Sequence, residues 1–328
     1  MPLKVHFLNV GRGDCTIIEF PSGRVGMVDI DYLKLLDPDT RKELLQEYRG
    51  SSAYFVDKLF RSAQEVERGF IAKAEARLTD PFAYYDSYIG RFKDIFRLII
   101  THPDMDHITG LYRLHVLDTD KDLICFWHTG FHDFNLADTT NQEWADSPYD
   151  KRDWTTYKSL RRSDSDPKAL QKYQGNEGKY WTDDGIEIWA PTPKLEQLAV
   201  DRDEPNILSM VLKITYKGRS IVLGGDATAD ETWTTIYPQL DLSGIDVLKA
   251  SHHGRKTGYH GPSVKEISPW LTITSVGEAE HDATENYRRY SKHTVSLRKS
   301  GDIRITIEDS GKLLYSPNIE EHWKPQKT

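Results

Sequence analysis

The chain has 328 residues, with 43 Lys and Arg against 51 Asp and Glu, a formal net charge of −8, 38% hydrophobic and 29% charged residues. A sizeable core can be buried, so this is not a disordered chain. The longest apolar runs, such as 98–100 and 221–223, fall far short of the roughly 20 residues that span a bilayer. Two cysteines exclude a disulfide framework and an all-Cys zinc site, and the acidic balance disfavours a nucleic-acid binder that works through a broad basic face. With no secretory pattern at Met1-Pro-Leu-Lys, a cytoplasmic globular protein with no membrane partner is expected.

Strands are predicted at 5–9, 15–20 and 26–30, separated by Gly11-Arg12-Gly13-Asp14 and the turn Pro21-Ser22-Gly23, which is an antiparallel start. From 32 to 92, leucines and aromatics recur at intervals of three and four among charged residues, so this stretch reads as a helical insertion, with Pro38 as a start and Asp80-Pro81 as a break. A strand at 96–100 runs into Thr101-His102-Pro103-Asp104-Met105-Asp106-His107, a helix follows, and 123–127 is a further strand. Residues 135–180 are polar with little periodicity and read as a second, irregular insertion. Regular pattern returns with strands at 185–190, 209–216, 220–223, 247–250 and 271–275, a helix at 227–236, and a hairpin of 303–307 with 313–315. No repeat or linker is visible, so residues 1–328 read as one domain carrying two insertions.

Polar loops recur at the predicted strand ends, and in a layered αβ fold such ends converge on one crevice. The strongest is His102-x-Asp104-x-Asp106-His107, with four potential ligands in six positions after an apolar strand. A helix cap needs one Asp, not two flanked by histidines. Gly225-Asp226 ends another strand; an Asp there either bridges two divalent ions or caps the helix that follows. His252-His253-Gly254 ends a third. Imidazoles and carboxylates without thiolate suit Zn, Mn or Fe. Gly11–Asp14 lacks the ending of a phosphate-binding P-loop; its glycines allow close backbone approach, Asp14 reads as a support for the metal loop, and Arg12 as a contact for an anionic substrate. Tyr287 and Arg288 suit phosphate and base stacking. His128 and His132, near a strand end, are further ligand candidates.

These motifs resemble those of the metallo-β-lactamase superfamily, and within it the ComEC-type hydrolases, free-standing relatives of the hydrolase domain of the DNA-uptake channel. The matching residues are Asn9-Val-Gly-Arg-Gly-Asp14, Val28-Asp29, Thr101–His107, Asn206-Ile-Leu-Ser209, Leu223-Gly-Gly-Asp226, Leu248-Lys-Ala-Ser-His-His-Gly254 and Ser275-Val-Gly277, in order along the chain. The resemblance implies a four-layer αββα sandwich with a dinuclear metal site, His102, Asp104 and Asp226 holding one ion, and Asp106, His107, Asp226 and His252 or His253 the other. Asp104 stands where most of the superfamily has His, and Asn206 lies about where a further histidine would fall, so Asn206 reads as a substrate contact and one metal position as altered.

The implied function is a metal-dependent phosphodiesterase or nuclease acting on a phosphate-containing substrate, a single-stranded nucleic acid or a nucleotide, with two divalent ions, zinc or manganese, activating water. Asp106 or Asp104 would orient that water, and the titration range of imidazole suggests His253 or His281 as the acid for the leaving group. Hydrolysis of an ester, thioester or lactam is the alternative chemistry. A non-catalytic module, with a protein partner on 32–92 in a multi-protein system such as phage defence, is the third reading.

Overall fold

The computed structural model describes residues 1–11, 13–33, 36, 38–130, 141–275, 281–318 and 326–327. Arg12, His132, Val276 and Gly277, singled out above, lie outside the described residues, as do 135–140 of the second insertion. Along the chain come β1 (Leu3–Phe7), β2 (Thr16–Glu19) and β3 (Val25–Val28), then α1 (Pro38–Arg49), α2 (Ser52–Asp57), α3 (Ala63–Glu75) and α4 (Pro81–Tyr85), all inside the predicted helical insertion. β4 (Ile95–Ile99), α5 (Met105–Ile108), β5 (Leu123–His128), α6 (Asn141–Asp146), α7 (Lys151–Leu160), β6 (Lys168–Gln171) and α8 (Lys179–Asp183) follow. The second half holds β7 (Ile186–Ala190), α9 (Pro193–Arg202), β8 (Val211–Tyr216), β9 (Arg219–Leu223), α10 (Thr234–Ile236), β10 (Ile245–Lys249), α11 (Gly261–Ile267), β11 (Leu271–Thr274), α12 (Thr284–Arg288), β12 (His293–Ser296), α13 (Leu297–Ser300), β13 (Ile303–Ile307), β14 (Leu313–Pro317) and β15 (Gln326–Lys327).

These strands make two sheets. One is ordered β15-β14-β13-β1-β2-β3-β4-β5-β6 and the other β12-β11-β10-β9-β8-β7. Successive strand residues face opposite sides, and the sequence uses both. Ile18 faces the layer between the sheets with Leu3, Val5, Ile221 and Leu223, whereas Ile17 faces an outer layer with Leu98, Ile108, Trp154 and Tyr157. On the far side, Val222 and Leu248 pack on Leu195, Trp233 and Ile267. Helices therefore cover both outer faces, and the architecture is the four-layer αββα sandwich that the resemblance implies. No helix among the described residues is long and apolar enough to cross a membrane.

Local chemistry explains where the reading of the sequence slips. Asp80-Pro81, read as a break, is a helix start: Asp80 accepts from the Phe82 and Ala83 backbone N–H groups at 3.0 and 3.3 Å, with Pro81 in the first turn. The helix expected over 227–236 begins instead as a π-turn, Ala229–Trp233, capped by Thr228. β6 lies inside the insertion read as irregular; with only Ala169 and Leu170 apolar, this edge strand carries too little signal.

Parallel pairing positions the site. β3, β4, β5 and β6 run parallel, as do β9, β10, β11 and β12. The loops that leave their C-terminal ends, and the β1–β2 loop, meet along one edge of the sandwich. Backbone bonds join them: Met210 N–H donates to Thr101 O at 3.0 Å, Ile30 N–H to His107 O at 3.0 Å, His252 N–H to Gly225 O at 2.8 Å and Ser275 N–H to His253 O at 2.9 Å.

A buried ion pair locks β4 to the segment before β7. The Arg97 guanidinium, under the rings of Phe20, Phe96 and Trp127 at 5.2 to 5.3 Å, donates through Nη1 to Asp184 at 2.8 Å, and Asp184 also accepts from Arg24 and Ser22. Removing one partner of such a pair strands the other charge. Asp184→Ala is expected to cost about 3–5 kcal/mol of unfolding free energy in urea titrations, and a loss below about 1 kcal/mol would contradict the pairing.

Candidate metal centre

Four imidazoles surround one carboxylate. Asp226 Oδ2 lies 3.1 Å from His253 Nε2, 3.4 Å from His107 Nε2, 3.7 Å from His252 Nε2 and 4.0 Å from His102 Nε2. Asp104 Oδ2 is 3.5 Å from His102 Nε2, and Asp106 Oδ2 is 3.4 Å from His253 Nε2. His102, His107 and Asp226 offer ligand atoms within 4.8 Å of one another, as do Asp106, His107 and His253, and Asp14, Asp226 and His253. Sequence reading left open which of His252 and His253 reaches the site; both approach Asp226.

The local backbone makes this possible. His252 and His253 both take left-handed conformations, φ 51° and 61°, which non-glycine residues adopt at a cost of about 1–3 kcal/mol. The turn sends two adjacent side chains to one carboxylate. Asp29, φ 56°, is likewise left-handed. Neither acidic residue is used as a helix cap. Asp104 stands at the N-cap of α5 with no side-chain cap bond, and the helix after Asp226 is capped by Thr228. Ser209 Oγ accepts from the Asp226 N–H at 3.1 Å instead.

Outer partners aim the rings. His107 Nδ1 sits 2.9 Å from Asp29, His102 Nδ1 3.1 Å from Thr101 Oγ1 and His252 Nδ1 2.9 Å from Thr257 Oγ1. Each imidazole is held by Nδ1 and presents Nε2 inward, which is how protein metal ligands are commonly fixed. Asp29 itself accepts from the Thr101 N–H at 2.7 Å and hydroxyl at 2.8 Å. Behind His253, Asp14 lies 3.6 Å from Nδ1 and accepts from Lys249 Nζ at 2.7 and 2.9 Å and from Ser275 at 2.8 Å. Sequence reading assigned no role to Lys249, Asp29 or Thr257. For Lys249 the available signal was a lysine within the apolar run 247–250, since a buried ammonium needs a partner.

The charges are mutually dependent. Burial alone would raise the Asp226 pKa, but His253, His107 and His252 hold it well below the usual carboxylate range. Burial likewise opposes charge on His107 and His253, yet Asp226 and the neighbouring carboxylates hold both imidazoles well above their ordinary value. Asp31 goes the other way: burial, helped by Asp106, pushes its carboxyl up to about 8, against a bond from the Leu33 N–H.

The donor set fits a cation. His102 Nε2, His107 Nε2 and Asp226 Oδ1 are buried without a hydrogen-bond partner among the described residues, and each such atom costs about 1–3 kcal/mol if left unmet. Imidazole nitrogens and carboxylate oxygens converging on one point are what a divalent ion would satisfy.

Among the other expected site residues, Tyr287 and Arg288 are engaged within the protein. Tyr287 is 1% exposed and packs edge-on against Tyr259 in the outer core, so it faces the protein and not a substrate. Arg288 pairs with Glu285 in the same helix. The His281 side chain is exposed, and its carbonyl accepts from the Lys256 N–H at 3.0 Å. His128 Nδ1 is turned to the Thr129 carbonyl at 2.8 Å, burial lowers its pKa to about 4, and it joins none of the ligand groups. Asn206, just before Ser209, keeps a buried Oδ1 without a hydrogen-bond partner among the described residues. Gly13 explains the glycine loop, since a Cβ there would stand 2.1 Å from Asp106 O and 2.5 Å from Asp31 Oδ2.

No family model matches the chain, and no curated protein matches it. Among solved structures it is similar to the metallo-beta-lactamase fold protein YhfI from Bacillus subtilis, at 12% identity and a TM-score of 0.44 over 90% of this chain and 96% of that one. It is also similar to CmlA, a diiron beta-hydroxylase from Streptomyces venezuelae, at 11% identity and a TM-score of 0.40 over 93% of this chain. It spans about half of CmlA, 54% of that chain.

Two outcomes test the centre. Gly13→Ala is expected to cost about 1–3 kcal/mol by overpacking and to weaken metal binding by displacing Asp106; unchanged melting and unchanged metal titration would refute the close approach. Saturating zinc or manganese is expected to raise the melting temperature, by the equivalent of about 2.7 kcal/mol at a hundredfold excess over Kd. Asp226→Ala and His107→Ala should remove most of that rise, and its persistence in both would place the ion elsewhere.

Proposed function

We propose that the chain is a metal-dependent hydrolase of phosphodiester bonds that uses two divalent ions, zinc or manganese, on a single-stranded nucleic acid or a nucleotide. The observation that carries this reading is the convergence of four Nε2 atoms on Asp226, with Asp104 and Asp106 beside them. The order of the motifs, which resembles that of the ComEC-type hydrolases, supports phosphodiester chemistry over ester or lactam cleavage. His102, Asp104 and Asp226 would hold one ion, and Asp106, His107, Asp226 and His253 or His252 the other. Bound ions of this kind supply an acidified water and polarise a phosphoryl oxygen.

The chain's own residues divide the remaining work. Asp104 is the more open of the two loop carboxylates, its side chain 37% exposed against 17% for Asp106, so the pair can orient a water arriving from solvent. Asp29, Thr101 and Thr257 keep the imidazoles turned inward. Asp14, itself held by Lys249, stands 3.6 Å behind His253 Nδ1, on the side of the ring away from Asp106 and Asp226. The net charge of −8 then bears only against a broad grip on duplex DNA, because bound ions bring local positive charge to the site.

Metal-loaded protein is expected to turn over bis(p-nitrophenyl) phosphate and short single-stranded DNA or RNA. Asp226→Ala should lower kcat/KM at least about a hundredfold, the size of loss seen when preorganised charge stabilisation is removed. Absence of metal-dependent turnover on all of these substrates would sink the proposal, and faster cleavage of a chromogenic β-lactam would replace it with acyl hydrolysis.

A further inference from the structure

The loop that carries the paired histidines continues into Arg255, whose N–H donates to the His252 carbonyl at 2.9 Å. Its side chain turns to Glu43 on α1, with Nη2 3.2 Å from Oε1. Arg298, on α13 just beyond the C-terminal end of β12, reaches the other oxygen, Nη2 standing 3.6 Å from Oε2. One carboxylate thus sits between two guanidinium groups on the edge that holds the metal-ligand loops.

The donors outnumber what Glu43 can accept. The Arg298 side chain is only 9% exposed. Its Nε, Nη1 and Nη2, and the Nε of Arg255, are buried with no hydrogen-bond partner among the described residues. Asp282 pairs with Arg255 through a backbone bridge on the same wall, and its charge, like that of Glu47, faces Arg298, while its Oδ1 accepts from the Thr284 N–H and hydroxyl at 2.7 and 2.6 Å. Glu47 lies 3.4 Å from Lys299. A carboxylate offers two oxygens, whereas a phosphate group offers three or more in a tetrahedral array that two planar guanidinium forks can grip together.

We propose that Arg255 and Arg298 form a phosphate subsite beside the metal centre, in which the Glu43 carboxylate holds the place of the anion. The subsite takes a phosphate group of the substrate other than the one being cleaved, so it selects nucleotides or oligonucleotides with a second phosphate near the scissile bond. This selection rests on the phosphodiester reading above, but binding of the anion does not. Because Glu43 belongs to the helical insertion, an arriving phosphate also exchanges one tether of that insertion for substrate.

The test uses the full chain stripped of metal with EDTA and inorganic pyrophosphate as the probe, followed by calorimetry at low salt. Arg255→Gln and Arg298→Gln should each weaken binding roughly tenfold, as loss of charge-assisted hydrogen bonds implies. Glu43→Gln should tighten it several-fold, because the competing carboxylate is gone. A purely structural clamp gives the opposite or no change for Glu43→Gln, so that variant decides the matter even if an arginine variant fails to fold. No pyrophosphate binding, wild-type affinity in both arginine variants, or unchanged or weaker binding in Glu43→Gln overturns the subsite. On the loaded enzyme, a 5′-phosphorylated dinucleotide should show a lower KM than its unphosphorylated form, and Arg298→Gln should abolish that difference. Failure of all phosphodiester turnover with the pyrophosphate pattern intact would count against the reaction and leave the anion site standing.

Discussion

The carboxylate of Asp226 is the point where the loops of both sheets meet. His102 and His107 come from the segment after β4 in one sheet, and His252 and His253 from the segment after β10 in the other, yet all four rings stand within 4.0 Å of the same oxygen. A buried anion of this kind costs several kcal/mol unless positive charge accompanies it. The surrounding construction follows from that demand: the left-handed pair His252-His253, the left-handed Asp29 that braces His107, and the glycine at position 13 that lets the β1–β2 loop press on the Asp106 carbonyl. Strain of this sort persists only where the rest of the structure over-determines it, and here the backbone bonds between the loops do so.

The second ring of contacts shows the same economy. Three imidazoles are each gripped at Nδ1, by Asp29, Thr101 and Thr257, so their inward nitrogens are fixed before any ligand arrives. His253 is held differently, in front of an Asp14–Lys249–Ser275 group drawn from three distant parts of the chain. The ammonium of Lys249 offsets a carboxylate that would otherwise add to an already acidic pocket. Three carboxylates can therefore stand among four imidazoles without the site becoming unbearably negative.

Much of this was readable from residue order. Short apolar strands broken by glycine, proline and polar loops were legible, the αββα layers followed from the family resemblance that the motifs carry, and the spacing His102-x-Asp104-x-Asp106-His107 pointed to a metal loop because no capping motif needs that set. What escaped was non-local. β12, His-Thr-Val-Ser, is too polar to announce itself and exists because β11 offers a partner. Tyr287 looked like a substrate contact beside Arg288, but only the fold shows that its face of the helix is turned to Tyr259 and the core. Asp29 and Lys249 owe their roles to neighbours 78 and 235 positions away, a relation that local pattern does not encode. Arg255, Arg298 and Glu43 are meaningless apart and form a group only when α1 folds across the edge.

The strand order has a temporal meaning as well. β1 pairs with β2 on one side and with β13 on the other, Leu3 lying opposite Ile307. Pairings of such long sequence separation form slowly, because loop-closure entropy is spent before the contact returns anything. The candidate ligands are divided in the same way, mainly between residues 102–107 and 226–253. Each candidate ligand group therefore draws on residues of both halves and is complete only when both are built.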